Sequence, residues 1–329
     1  MEEGKGRVCV TGGTGFIGSW IIKRLLEDGY TVNTTVRCSP EGQKKDVSFL
    51  TNLPGASQKL KIFNADLSNP ESFNAAIEGC VGIFHTATPI DFEVNEPEEI
   101  VTKRTIDGAL GILKACENSK TVKRVVYTSS ASAVYYQDKE EDIMDENYWS
   151  DVNILRNLKP FAWSYAVSKT LAEKAVLEFG KEHGLDIVTL VPTFVAGPFI
   201  CPKLPGSIYG SLPFLFGDID KNPLIASRIH MVHVDDVTRA HIFLLEHPNS
   251  KGRYNCSPFI ATFDEIIDII SSKYPKFQIP KSKVLMGAKG PKLPHLTSKK
   301  IMDAGFEFKY SIEEMFKDTI ECCKEKGYL

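Results

Sequence analysis

The segment RVCVTGGTGFIGSW, residues 7–20, constrains the fold more than any other stretch of this chain. A short apolar run leads into glycines at 12, 15 and 18, and then into FIGSWIIKRLLED, whose apolar residues recur at helical spacing. Glycines alone would be a weak signal; a strand before them and a helix after them give the pattern meaning. Gly12 permits the tight turn, Gly15 lets a pyrophosphate approach the backbone, and Gly18 lets helix and strand pack closely. The start of the helix then offers unpaired N–H groups to the anion. Thr14, Phe16 and Ile17 complete the loop. The competing reading is a purely structural strand–turn–helix.

The chain keeps alternating in the same way. RVCVT, TVNTTV, KLKIFNA, VGIFHTA, RVVYTSS and IVTLVP are expected strands, and the amphipathic segments between them are expected helices. Nearly continuous apolar strands separated by helices predict a parallel sheet covered on both faces. The expected fold is therefore α/β, a doubly wound sheet of the Rossmann type. After Pro192 the pattern becomes rich in Pro, Gly and Phe. We expect a dinucleotide-binding domain over residues 1–192. Residues 193–230 and 261–329 are expected to form a smaller mixed α/β substrate lobe, with parts of about 231–260 returning to the large sheet.

Composition narrows the function classes. The 329 residues are 43% hydrophobic and 25% charged, as in ordinary globular chains, with a net charge of −3. No basic footprint points to nucleic acid, and no apolar run approaches the ~18 residues of a membrane span. MEEGKGR has no signal-peptide pattern. Eight scattered cysteines lack metal-ligand spacing, so free thiols in a reducing, cytoplasmic compartment are expected. NTT at Asn33 and NCS at Asn255 lie in expected strands and are taken as accidental glycosylation patterns. His230 and His233 in HMVH have no suitably spaced partner ligand, so no metal site is expected. A monomer is compatible with the sequence.

Arg37 follows the second expected strand, where an NAD enzyme usually carries an acid for the ribose 2′-hydroxyl. A guanidinium there suits a 2′-phosphate, which favours NADP(H). Lys44 and Lys45 could add charge, and Asp66 with Leu67 is placed to meet the adenine. The competing readings are a solvated surface arginine and a helix-capping aspartate.

Two Tyr-x-x-x-Lys pairs occur, Tyr165–Lys169 and Tyr135–Lys139. The first lies near the start of a strong helix, so both side chains share one face. It also follows the strand ending in Ser129 and Ser130, whose carboxyl end should border the cleft. The second lies in an acidic, loop-like stretch and is read as a decoy. Hydride addition to a carbonyl builds charge on oxygen; a phenol can protonate it, and a serine hydroxyl can stabilise it. A neighbouring ammonium is expected to lower the phenol's pKa from about 10. Phe161, Trp163, Phe194, Ile208 and Leu212 could form an aromatic-friendly pocket, or simply pack the core.

The glycine pattern, TSSAS and YAVSK, in that order, resemble the extended short-chain dehydrogenase/reductases. VTGGTGFIGSW, FHTATPIDFE, WSYAVSKTLAE and GPF look like its plant dihydroflavonol-4-reductase-like group. DLSNPESF, AEKAVLEFG, GRYNCSPF and CCKEKGYL resemble the branch of that group that reduces isoflavanones. The resemblance implies an NADPH-dependent reduction of an isoflavanone ketone to an isoflavanol, in pterocarpan phytoalexin formation. It implies Ser130, Tyr165 and Lys169 as the catalytic residues, with Lys169 also holding the nicotinamide ribose. It places Thr86, Ala87, Thr88, Pro192, Thr193, Val195 and Ser207 beside the cofactor, and Pro89, Ala131 and Tyr135 beside the substrate. Tyr135 stands where dihydroflavonol reductases commonly carry a ring-binding asparagine, which argues against a dihydroflavonol. The missing NWYCY motif argues against a thioester substrate, and Thr105 replaces an asparagine common in extended members. Alternatives are reduction of sophorol or another flavonoid-like ketone, a nucleotide-sugar epimerase or dehydratase, and a non-catalytic NADP sensor.

Overall fold

Seven parallel strands form the centre of the molecule: β1 (Arg7–Thr11), β2 (Thr31–Val36), β3 (Leu60–Asn64), β4 (Gly82–His85), β5 (Arg124–Thr128), β7 (Ile187–Pro192) and β10 (Gly252–Cys256). β6 (Ile143–Met144) pairs with β12 (His295–Leu296) in a two-stranded ladder, and β8 (Phe194–Ala196), β9 (Ile229–His233) and β11 (Phe259–Ala261) make a third sheet. This computed structural model describes residues 5–37, 46–89, 95–138, 141–217, 228–275 and 294–329. Lys44, Lys45 and Lys139 lie outside the described residues.

The large sheet has the order β10-β7-β5-β4-β1-β2-β3. The chain enters at β1, builds outward to β3, then crosses back to β4 on the other side of β1. The loops after β1 and β4 therefore diverge at a switch point, the crevice where such sheets bind ligands. Side chains alternate between the faces. Val8, Val10, Phe84, Val126 and Val188 pack beneath helices Phe16–Glu27 and Val234–Glu246. Cys9, Ile83, Val125 and Tyr127 pack beneath helices Glu98–Ser119 and Trp163–His183. β4, β5 and β7 are buried along their whole length, whereas the edge strand β3 is largely open. The apolar and mixed patterns of these strands follow from that difference.

The third sheet packs with helices Phe263–Lys273 and Ile312–Glu325 around a second core of Phe199, Ile208, Leu212, Met231, Ile266 and Phe316. Both helices start with a capping box, Thr262 with Glu265 and Ser311 with Glu314. Each box satisfies two backbone donors that a helix start leaves unpaired. The seven described cysteines are free and buried. No helix among the described residues is long and apolar enough to cross a membrane.

Candidate active site

Three strand ends and one helix build the site. At the end of β1, Gly12 has φ +74, and a Cβ there would meet the Ala87 backbone at 3.0 Å. The loops after β1 and β4 thus touch at the switch point. A Cβ on Gly18 would lie 2.5 Å from the Gly12 carbonyl oxygen, so the helix start is seated tightly on the turn. Gly13, which the glycine spacing did not single out, is as crowded: its Cβ would meet Thr34 Oγ1. The loop is tied down by bonds from Gly12 N to Thr35 Oγ1 and from Ala87 N to Thr11 Oγ1, each 3.2 Å, and from Thr86 Oγ1 to the Thr11 carbonyl at 2.6 Å. Helix Phe16–Glu27 begins at the exposed Gly15 with no side-chain cap and no acid in its first turn. Such a start suits a phosphate. Thr14, Ile17, Thr88 and Pro89 are partly exposed around it, and Phe16 meets Phe199 edge-on at 6.4 Å.

Arg37 is exposed just beyond β2. Asp66, just beyond β3, accepts from Ser68 N at 2.8 Å and Ser68 Oγ at 2.6 Å. These bonds hold its carboxyl below the usual range, with smaller help from the charges of Arg37 and Arg104. Arg37 and Asp66 are therefore electrostatic neighbours. Leu67 packs on Gly108 of helix Glu98–Ser119, and a groove of about 480 Å³ opens beside it among Pro70, Ile100 and Arg104.

The hydroxyl of Ser130 lies near enough to Tyr165 to oppose the rise that burial imposes on the phenol's pKa. Ser130 Oγ also accepts from Ser132 Oγ at 2.9 Å and from Ser132 N at 3.3 Å, which fixes the turn after β5. Tyr165 sits in the first turn of helix Trp163–His183, which Ala162 enters with φ +57, a conformation rare for a residue with a Cβ. One turn on, Lys169 is 3% exposed and donates to the Thr128 carbonyl at 2.6 Å and to Tyr127 Oη at 3.4 Å. Its ammonium lies 4.8 Å from the Tyr127 ring centre. Burial pushes its pKa down to about 8, with Glu173 opposing.

The expected lowering of the phenol's pKa is not what the structure gives. Burial raises the Tyr165 pKa, and the neighbouring Ser130 hydroxyl is what opposes it. Lys169 donates to Thr128 and Tyr127 and is not among the groups that shift the phenol. Tyr165 is accordingly a protonated group near neutrality, which suits a proton donor. Thr105 gives its hydroxyl to the Val101 carbonyl of its own helix at 2.7 Å.

Tyr135 lies apart from this group, and its ring faces His230 at 5.2 Å. The Tyr135 hydroxyl and both ring nitrogens of His230 are buried without a partner among the described residues. His230 was weighed in the sequence only as a metal ligand; its unpaired nitrogens beside Tyr135 make it a polar element in an apolar wall. Among the described residues no group of three or more His, Cys, Asp or Glu could hold a metal ion. Ala131 packs with Tyr135, Met144 and Val191. Ile208 and Leu212 have no exposed surface and belong to the second core, against which Phe194 is partly buried. Phe161 is 43% exposed, and Trp163 packs with Leu155 and Val167. Pro192 ends β7, Thr193 bonds to the Cys256 carbonyl, and Ser207 Oγ donates to the Val195 carbonyl at 2.7 Å.

The sequence reading also missed Glu173, one further turn along the helix. It is fully buried and accepts from Ser129 Oγ at 2.7 Å, Thr189 Oγ1 at 2.6 Å and Arg253 Nε at 3.0 Å. Its spacing from Lys169, the same as that between Tyr165 and Lys169, was the available signal.

An uncapped glycine turn at a switch point, with a serine, a tyrosine and a lysine at the neighbouring strand end, is the arrangement of a dinucleotide-dependent enzyme. The model of the NAD dependent epimerase/dehydratase family matches residues 8–257, and the chain belongs to that family, within the extended short-chain dehydrogenase/reductases. It is 67% identical over 329 residues to vestitone reductase of Medicago sativa, covering 100% of both chains. It is 47% identical over 324 residues to the bifunctional dihydroflavonol 4-reductase/flavanone 4-reductase of Malus domestica, covering 98% of this chain and 91% of that one. Among solved structures, alfalfa vestitone reductase superposes with a TM-score of 0.89 over 99% of this chain and 100% of that chain. Yeast methylglyoxal/isovaleraldehyde reductase complexed with NADPH gives 0.82 over 98% and 100%, at 26% identity.

Proposed function

We propose that this chain is an NADP(H)-dependent carbonyl reductase that converts the ketone of an isoflavanone, vestitone or a near analogue, to the isoflavanol. The observation that carries this reading is the convergence of Ser130, Tyr165 and Lys169 at the end of β5, beside the switch point, in a chain so similar to vestitone reductase. NADPH, when bound, supplies hydride to the carbonyl carbon. Tyr165 gives its proton to the carbonyl oxygen, and Ser130 donates a second hydrogen bond as charge develops there. Lys169 holds the nicotinamide ribose. The uncapped turn at Gly12–Gly18 would hold the pyrophosphate, and Arg37 the 2′-phosphate, while Asp66 meets the adenine. Residues 1–192 carry the cofactor, and 193–230 with 261–329 serve the substrate. The reading includes a cytoplasmic location, which the buried free thiols suit. NADPH consumption with a panel of isoflavanones, dihydroflavonols and hydroxycinnamoyl thioesters tests it: turnover confined to thioesters or dihydroflavonols refutes it.

Arg37→Ala is expected to weaken NADPH binding and leave NADH almost unchanged. A charge-assisted phosphate contact is worth about 1.5–3 kcal/mol. Steady-state KM values for both cofactors check this, and equal losses for the two would remove Arg37 from the 2′-phosphate site.

Substrate choice is placed at Ala131–Tyr135 and Phe194–Phe216. Tyr135→Asn should change the ranking of flavonoid-like ketones, because it replaces a phenol facing His230 with a shorter amide. NADPH affinity should stay within a few-fold of wild type. An unchanged ranking in kcat/KM would put the ring-binding wall elsewhere.

A further inference from the structure

We infer that Glu173 is a positioning residue of the reductase reaction: its carboxylate fixes Ser129, the neighbour of Ser130, and places a negative charge one helical turn beyond Lys169. The inference rests on the reading above, and it concerns a residue that need not touch the substrate.

Glu173 is saturated from three elements. Ser129 of the loop after β5 donates to Oε2, Thr189 of β7 donates to Oε1, and Arg253 of β10 donates to both oxygens at 3.0 and 3.2 Å. Arg253 is itself 5% exposed, stacks its guanidinium 3.5 Å from the Trp149 ring centre, and donates to the Glu146 and Tyr148 carbonyls. A buried ion pair of this kind is weak evidence for stability, because desolvation offsets its attraction. Its placement behind the reacting hydroxyls and the lysine calls for another account.

Lys169 supplies that account. Burial drives its pKa to about 8, and Glu173 is the group that pulls it up. The groups facing Lys169 are few. β5 brings the Tyr127 hydroxyl and the Thr128 carbonyl, and β4 brings His85, which burial keeps neutral. Its own helix brings Tyr165 and Glu173. β10 brings Arg253, whose charge is engaged by Glu173. Helix Glu98–Ser119 meets this helix through Thr102 and Ser168, and its Glu98 is closed off by Arg156. Without the Glu173 carboxylate, the lysine would have burial against it and no anion to answer.

The test is the pH profile of single-turnover hydride transfer, with wild type, Glu173→Gln and the double variant Glu173→Gln/Arg253→Gln. The double variant leaves neither member of the Glu173–Arg253 pair buried alone, so it keeps the test usable if the single variant folds poorly. A protonated lysine is required, so the wild-type rate should fall as pH rises through about 8. In Glu173→Gln that limb should move down by about one pH unit, the size of shift that one nearby opposite charge produces, and in the double variant, which also removes the Arg253 cation, it should move down by less. Rates at pH 6 should stay within a few-fold of wild type. A uniform loss at every pH with the limb unmoved makes Glu173 a structural residue only, and an unmoved limb with full rate gives it no role; either overturns the inference. A wild type that reduces no ketone with NADPH overturns the functional reading, and this inference with it.

Discussion

Tyr165→Phe is expected to lose on the order of 10²–10⁴-fold in the rate of hydride transfer, the usual worth of a general acid. The substitution removes one hydroxyl and keeps the ring, so the packing of helix Trp163–His183 should survive. Its cost falls on the proton and on the interaction with the neighbouring Ser130 hydroxyl. NADPH binding, read by fluorescence or calorimetry, should remain close to wild type. Lys169→Ala should lose both rate and cofactor affinity, because the proposed function gives that residue two roles. Tyr135→Phe is the control: its hydroxyl is buried without a partner among the described residues and is not bonded to Ser130. Single-turnover measurement separates chemistry from product release. Near wild-type transfer by Tyr165→Phe, with a large loss in Tyr135→Phe, would mean that the wrong tyrosine has been chosen.

The second large effect is on stability in acid. His230, His233 and His241 are buried with their pKa pushed down to about 4, and His85 to about 3, in each case chiefly by burial. An unfolded histidine titrates near 6.5. The folded state therefore binds fewer protons than the unfolded state between those values. The sign follows: the stability these groups allow is complete above pH 6.5 and is lost as pH falls toward 4. Each could cost up to about 3 kcal/mol once fully protonated in the unfolded chain. Four such terms rival the entire stability of a typical domain, about 5–15 kcal/mol. The thermal midpoint should be level from pH 8 to 7 and drop steeply between 6.5 and 4.5. His241 bonds to Thr128 Oγ1 and the Val237 carbonyl, so a variant there would perturb the fold directly. His230→Phe is gentler, since both ring nitrogens are without a partner among the described residues and the ring faces Tyr135 at 5.2 Å. Its acid slope should be shallower than that of wild type. A flat midpoint down to pH 5 would contradict the burial account.

The strands of the large sheet were legible because a strand buried on both faces must be apolar along its length. RVCVT and IVTLVP match β1 and β7 to the residue. β10 was legible as a strand, RYNCS, and its return to the large sheet was expected from the region alone. The order of the strands was not in the periodicity and is read only from the structure. In the site, Tyr165 and Lys169 were visible because helical spacing places them on one face. Glu173 shared that spacing and was passed over, since a carboxylate on a helix is usually solvated and its buried partners come from β7 and β10, distant in sequence. The direction of the Tyr165 pKa was misjudged for a related reason. Proximity of lysine to tyrosine is a local fact, but the bonds that Lys169 makes to Thr128 and Tyr127 depend on how β5 meets the helix. Ile208 and Leu212 show the same limit: an apolar residue in an irregular stretch does not announce whether it faces a ligand or the core.

The position of β10 at the edge of the large sheet has a consequence for how the protein is made. β10 pairs with β7, yet roughly 60 residues separate the end of one from the start of the other. Within that interval lies helix Val234–Glu246, which covers Val126 and Val188 on one face. At about 5–20 residues per second, a ribosome needs several seconds to deliver them. Throughout that time the nascent chain carries a β7 edge with open hydrogen-bonding groups and an apolar face with no lid. Arg253 arrives only with β10, and with it the counter-ion for a glutamate already bonded to Ser129. A chain stopped near residue 192 would hold the whole glycine turn, Ser130, Tyr165 and Lys169, and still be a sticky intermediate rather than a small enzyme.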